Sequence, residues 1–174
     1  MRLKPYEQGK LDCMCGIYSV VNATRIIRNL NDDQSQELFR QIVFYLRDTK
    51  ELPTILTEGM NIHILGGILR EVISDSIQRS IPFHKKPQIG IGDFWVEMMQ
   101  FLDEGEDLGE RRTILLSLDG AHEHWTVIRS MTGRGITLFD SDGLKHLSRR
   151  ACTTIKATAG RPHRLCPTQT YFLG

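Results

Sequence analysis

No uninterrupted apolar run in this 174-residue chain approaches the ~20 residues that a helix needs to cross a bilayer. The opening Met-Arg-Leu-Lys-Pro-Tyr-Glu-Gln also lacks the apolar stretch of a secretory signal. A cytoplasmic protein with no membrane partner is therefore the expectation. An excess of one charge is missing too: the formal net charge is +1, which removes the electrostatic argument for a nucleic-acid partner. The short pairs Arg111-Arg112 and Arg149-Arg150 read as solvated faces. Cysteine is sparse, with four residues at positions 13, 15, 152 and 166, expected to be mostly reduced in a cytoplasm. A chain of this length buries a real core without disulfide staples. Gly66-Gly67 and Gly90-x-Gly92 lack the strand-to-helix context and the third glycine of a nucleotide-binding loop. They read as helix-packing and turn glycines, and no cofactor is expected. Internal repeats and low-complexity blocks are absent, and nothing in the composition points to a particular oligomer. What remains is an ordinary globular composition, 40% hydrophobic and 25% charged, sized for one domain.

The first hundred residues carry helical periodicity. Ile17, Val20, Val21, Thr24, Ile27 and Leu30 recur at three- and four-residue steps after Cys15 and make one apolar face. Asn31-Asp32-Asp33 ends that helix and caps a second, on which Leu38, Phe39, Ile42, Val43 and Leu46 repeat the period. A loop containing Pro53 follows, then a third helix from about Met60 to Ile77. Residues 81–92 read as loop, and Asp93 is expected to cap a fourth helix holding Phe94, Met98, Phe101 and Leu102. After Gly105 the pattern changes to strands: Thr113 to Leu118, then Trp125 to Met131 and Ile136 to Asp140 flanking a tight turn at Thr132-Gly133-Arg134-Gly135. Thr168 to Leu173 is expected as a last strand, while Ala151 to Pro167 fits no single element. The sum is an α+β domain, with a helical lobe over about 1–104 and an antiparallel sheet lobe over about 111–174.

One segment points to chemistry. Cys15 sits where the first helix begins, so its sulfur faces free backbone N–H groups and the positive end of the helix dipole. Both favour the thiolate, which is the nucleophilic form. Gln8 lies just upstream, and its side-chain amide can donate to a developing oxyanion. Far downstream come His124 and Asp140, the groups that a nucleophilic cysteine needs as base and orienter. In an antiparallel hairpin the start of one strand lies beside the end of the next. His124 opens one strand and Asp140 closes its neighbour, so the carboxylate can hold one ring nitrogen and leave the other for the thiol. His122 competes with His124 but sits in the Gly120-Ala121 loop. Asp142 competes with Asp140 but reads as part of a turn, Ser141-Asp142-Gly143. Cys13 competes with Cys15, which the following Gly16 and helix favour. Cys13-x-Cys15 with His122-x-His124 is also a zinc-compatible set, yet the one-residue gap between the cysteines is short for a zinc site, and no metal is expected.

Gln8, Cys15-Gly16-Ile17-Tyr18-Ser19, His124-Trp125-Thr126-Val127-Ile128 and Leu138-Phe139-Asp140 together resemble the papain-like cysteine peptidases, and among them most closely the C39 and C39-like peptidases. The resemblance implies a papain-like α+β fold with the active-site cleft between helical and sheet halves. It further implies Cys15 as nucleophile, His124 as general base and acid, Asp140 as orienter, and Gln8 with the Cys15 N–H as the oxyanion hole. The sequence departs from the family's usual Asp-Cys-Gly in offering two cysteines, with Cys13 as a buried spectator or a reversible disulfide partner. The implied activity is hydrolysis of a peptide or amide bond through a thioester, with a peptide or protein as substrate. Two alternatives stay open: an acyltransferase or transglutaminase-type thiol enzyme, and a non-catalytic peptide-binding module.

Overall fold

The structure, a computed structural model, describes residues 3–9, 12–73 and 77–174. Its elements in chain order are α1 (Cys15–Arg28), α2 (Asp32–Asp48), α3 (Leu52–Glu58), α4 (Ile62–Glu71), β1 (Arg79–Ser80) and α5 (Ile91–Leu108). The strands β2 (Thr113–Gly120), β3 (His124–Met131), β4 (Gly135–Leu138), β5 (His146–Ser148), β6 (Cys152–Thr153), β7 (His163–Leu165) and β8 (Tyr171–Leu173) follow. The α+β class expected from the sequence is what forms.

Local chemistry accounts for most of the boundaries. Asn29 takes the left-handed conformation (φ 54°) and stops α1. Asn31 then opens α2 with a capping box, its side chain accepting from the Gln34 N–H while the Gln34 side chain accepts from the Asn31 N–H. Pro53 does not keep its segment in a loop. It stands in the first turn of α3, where its missing N–H has no intrahelical partner to lose. Asn61 caps α4 by accepting from the His63 and Ile64 N–H groups. That helix ends at Glu71, short of the expected Ile77, and residues 74–76 of the expected span lie outside those described. Gly66 and Gly67 are packing glycines: a Cβ would come within 2.6 Å of the hydroxyls of Tyr171 and Tyr45 respectively. Helix α5 starts ahead of Asp93, with Gly90 as its N-cap residue and no side-chain cap.

The strands make one open sheet in the order β1-β8-β2-β3-β4-β5. Strand β7 continues along the edge of β2 that β8 occupies nearer its start, and β6 pairs with β7 in parallel. Every other pairing is antiparallel. Alternate residues of the central strands serve opposite faces. Leu115, Trp125, Val127, Tyr171 and Leu173 pack with α1 to α4, while Ile114, Leu116, Ile128 and Phe172 pack with Phe94, Trp95 and Met98 of α5. The sheet is therefore a layer between helices on both sides. Helix α5 lies across the sheet from α1 to α4, and β1, from the helical stretch of the sequence, completes a sheet edge beside β8. Among the described residues no helix is long and apolar enough to cross a membrane.

Candidate active site

Helix α1 is placed by polar groups on its otherwise apolar face. Ser19, fully buried, donates from Oγ to the Trp125 carbonyl at 2.7 Å, which fixes the start of α1 beside the start of β3. The Trp125 indole N–H donates to the Met60 carbonyl at 2.6 Å. Met60 in turn lies against Gly16, where a Cβ would meet the Met60 Cβ and Sδ at 2.9 Å. Backbone of the α3–α4 connection, helix start and strand start thus brace one another. Asn22 clamps the N-terminal segment to α1 by accepting from the Tyr6 N–H and donating to the Tyr6 carbonyl. Ahead of the helix, Asp12 accepts from the N–H groups of Gly9 and Met14, so Cys15 enters α1 from a tied turn.

On the sheet side, β3 and β4 pair with Ile128 opposite Leu138, and the register slips between Ile128 and Ser130. Phe139 continues the pairing through its N–H to the Val127 carbonyl. Asp140 lies two residues beyond β4, and from there its side chain reaches His124 diagonally. The two carboxylate oxygens have separate partners. Oδ2 accepts from His124 Nε2 at 2.7 Å, and Oδ1 accepts from the Asp142 and Leu144 N–H groups at 2.8 and 2.9 Å. The side chains of His124 and Asp140 are 9% and 1% exposed.

With Nε2 given to Asp140, the other ring nitrogen of His124 is free for Cys15, whose side chain lies within hydrogen-bonding reach. Burial works against a charged imidazole, but hydrogen bonds to Asp140 and Cys15 and their negative charge outweigh it and hold the His124 pKa up at about 10. Burial likewise opposes the Asp140 carboxylate, and its hydrogen bonding and attraction to His124 more than compensate, leaving its pKa below the usual carboxylate value. The pair therefore stands as imidazolium and carboxylate at neutral pH.

Gln8, Cys15 and His124 line one cleft of about 620 Å³, with Asp140 buried behind the imidazole. The Gln8 N–H donates to the Ser141 carbonyl at 2.9 Å, so the segment carrying Gln8 is pinned next to Asp140. Its side-chain Oε1 is buried with no hydrogen-bond partner among the described residues. Asp12, Glu58, Glu123 and Asp142 also line the cleft, and none of them is ion-paired among the described residues. Arg164, on the same wall, is engaged by Asp119 at 2.6 Å.

The competing residues line the same cleft but are engaged with other partners. His122 stacks on His163 with ring centroids 5.3 Å apart. Asp142 gives its N–H to Asp140 and belongs to the turn. Cys13 is exposed rather than buried, and its Sγ donates to the Thr57 carbonyl at 3.6 Å. Cys152 and Cys166 are buried, and desolvation pushes both thiols up, that of Cys152 to about 11. No three His, Cys, Asp or Glu side chains among the described residues converge as metal ligands. Sequence reasoning did not find the bracing roles of Ser19 and Met60, or the β7–β8 connection that supplies Cys166 and Gln169 to the cleft. For Ser19 a signal existed, a small polar residue among the apolar positions of α1. For the others the contact is purely tertiary. Compared with models of known protein families, with curated proteins and with solved structures, the chain has no match.

Proposed function

We propose that the protein is a papain-like thiol hydrolase of the C39-like kind, cutting a peptide or amide bond in a reducing, cytoplasmic setting. The observation that carries this reading is the placement of His124 between the buried Asp140 and the Cys15 sulfur at the head of α1. A carbonyl entering the cleft is attacked by the Cys15 sulfur. The oxyanion that forms meets the α1 N-terminus and the side-chain NH2 group of Gln8, which lines the same cleft as Cys15 and His124. His124 gives its proton to the leaving amine as the C–N bond breaks, which leaves a thioester on Cys15. His124 then takes a proton from water, the hydroxide adds to the thioester, and the acid leaves as the thiol is restored. Asp140 keeps the imidazole oriented and favours its charged form.

Labelling with a peptide bearing an electrophilic C-terminus, followed by mapping of the modified residue, tests this. Cys15 is expected to react ahead of Cys13, Cys152 and Cys166, and His124→Ala to abolish the advantage. Gln8→Ala is expected to lower turnover by a factor on the order of 10²–10³ with folding intact. Faster modification of another cysteine, or full hydrolysis by Cys15→Ala, would overturn the reading. Mass analysis of products with and without an added amine separates hydrolysis from acyl transfer.

A further inference from the structure

A second cavity, of about 770 Å³, shares no lining residue with the catalytic cleft and is framed by four arginines: Arg134, Arg149, Arg150 and Arg161. No carboxylate lines it, and none of the four is ion-paired among the described residues. In a chain whose net charge is only +1, this is an uncompensated concentration of guanidinium groups. The remaining lining is small or backbone-rich: Gly92 and Ile91 from the first turn of α5, Gly133 from the β3–β4 turn, and Ser148. Helix α5 is 18 residues long and begins at Ile91, with Gly90 as an N-cap residue that offers no side-chain cap. Its first-turn N–H groups and dipole add positive potential on the same side. Asp93, the acidic residue of that turn, lines a different hollow with Lys86.

The parts are held in place by one another. Trp95 of α5 donates its indole N–H to the Thr132 carbonyl at 2.9 Å, which fixes the helix start against the β3–β4 turn. The Arg149 guanidinium lies over the Trp95 ring, 5.5 Å from its centroid, and its backbone N–H donates to the Arg134 carbonyl at 2.9 Å. Planar guanidinium forks match phosphate oxygens in pairs, and an arginine already stacked loses less freedom on binding. The groups converge on one hollow instead of spreading as a stripe along a face, which suits a compact ligand rather than a nucleic-acid backbone. We propose that this cavity is a binding site for a small, multiply charged phosphate compound, such as a nucleoside triphosphate or a short polyphosphate.

Titration calorimetry of the full chain with inorganic tripolyphosphate, with ATP and with a short DNA duplex, at one fixed ionic strength, tests this. Saturable one-to-one binding of tripolyphosphate, ATP or both is expected. ATP alone would assign the site to nucleotides, and tripolyphosphate alone to polyphosphate. Each loss of a phosphate-bound arginine is expected to weaken binding about tenfold or more. The exposed positions allow Arg150→Glu with Arg161→Glu, which leaves the Arg149–Trp95 stack alone. That double variant should lose phosphate binding and keep the iodoacetamide reaction rate of Cys15, while lysine at both positions should retain part of the affinity. Absence of phosphate binding, equal affinity in the double variant, or binding of the duplex alone would overturn the proposal.

Discussion

Asp140 divides its two oxygens between the imidazole and the turn that follows, so a single atom change separates its charge from its scaffolding. In Asp140→Asn the amide oxygen can still accept from the Asp142 and Leu144 N–H groups, and the turn should persist. The ring loses its anionic partner. The His124 pKa, about 10 in the intact site, is expected to fall toward the ordinary range, read by NMR titration of the ring, and turnover to drop by a factor on the order of 10²–10⁴. An unchanged titration would break the link between Asp140 and the charge on His124. The same shift makes stability pH-dependent, and its sign follows from proton counting. Folding raises His124 from 6.5 to about 10, so between those values the native protein holds more protons than the unfolded chain. The contribution is whole below 6.5 and drains away as pH climbs to about 10. Asp140, lowered from 3.8, works at the other end: its contribution is present above 3.8 and is lost as pH falls through its depressed native value. Thermal unfolding followed by circular dichroism should show an alkaline decline of the melting temperature across that upper window, and Asp140→Asn should flatten it.

At the scale of elements, the start of α1 depends on a missing side chain. A methyl group at position 16 would press on the Met60 Cβ and Sδ at 2.9 Å. The sulfur can swing aside, but the Cβ is tied to a backbone whose carbonyl holds the Trp125 indole. Gly16→Ala should therefore cost about 1–3 kcal/mol in denaturant unfolding and slow alkylation of Cys15, because overpacking displaces the helix start from His124. Wild-type stability with a wild-type alkylation rate would remove Met60 from the set of braces. The same elements show what periodicity reveals. Helices α1 and α2 were legible because their apolar steps are regular and Asn31 is a strong cap. The hairpin was legible because turn residues stand between two β-rich runs. Helix α3 was not, since Pro53 is a breaker everywhere except the first turn, and a seven-residue helix carries too little period to argue back. Asp93 misled because an acidic residue serves in the first turn as well as at the cap. The two-residue strands β1 and β6 have no period at all; partners remote in sequence create them.

For the whole molecule, chain order suggested helices beside a sheet, whereas the fold sets the sheet between them. Ile114, Leu116 and Phe172 need cover as much as Leu115 and Tyr171 do, and α5 supplies it. The candidate site survives that rearrangement because Cys15, His124 and Asp140 sit at the ends of α1 and of the β3–β4 hairpin, none of them on α5. The charge of the cleft was invisible in a net value of +1, since it arises from which side chains the fold collects. Asp12, Glu58, Glu123 and Asp142 line the opening, while Arg164 is held by Asp119. A substrate segment with lysine or arginine should enter this field more readily than one with glutamate. Screening acts over roughly 8–10 Å at physiological salt, a range comparable to the cleft itself, so the preference should be salt-sensitive. Two peptide electrophiles with one reactive group, one lysine-flanked and one glutamate-flanked, provide the comparison. The lysine peptide is expected to modify Cys15 on the order of tenfold faster in dilute buffer, with the ratio shrinking as sodium chloride is raised. Glu58→Lys combined with Glu123→Lys should reverse the order, because both residues line the cleft and neither hydrogen-bonds to His124 or Asp140 among the described residues. Equal rates for the two peptides at low salt would show that shape alone selects what reaches the Cys15 sulfur.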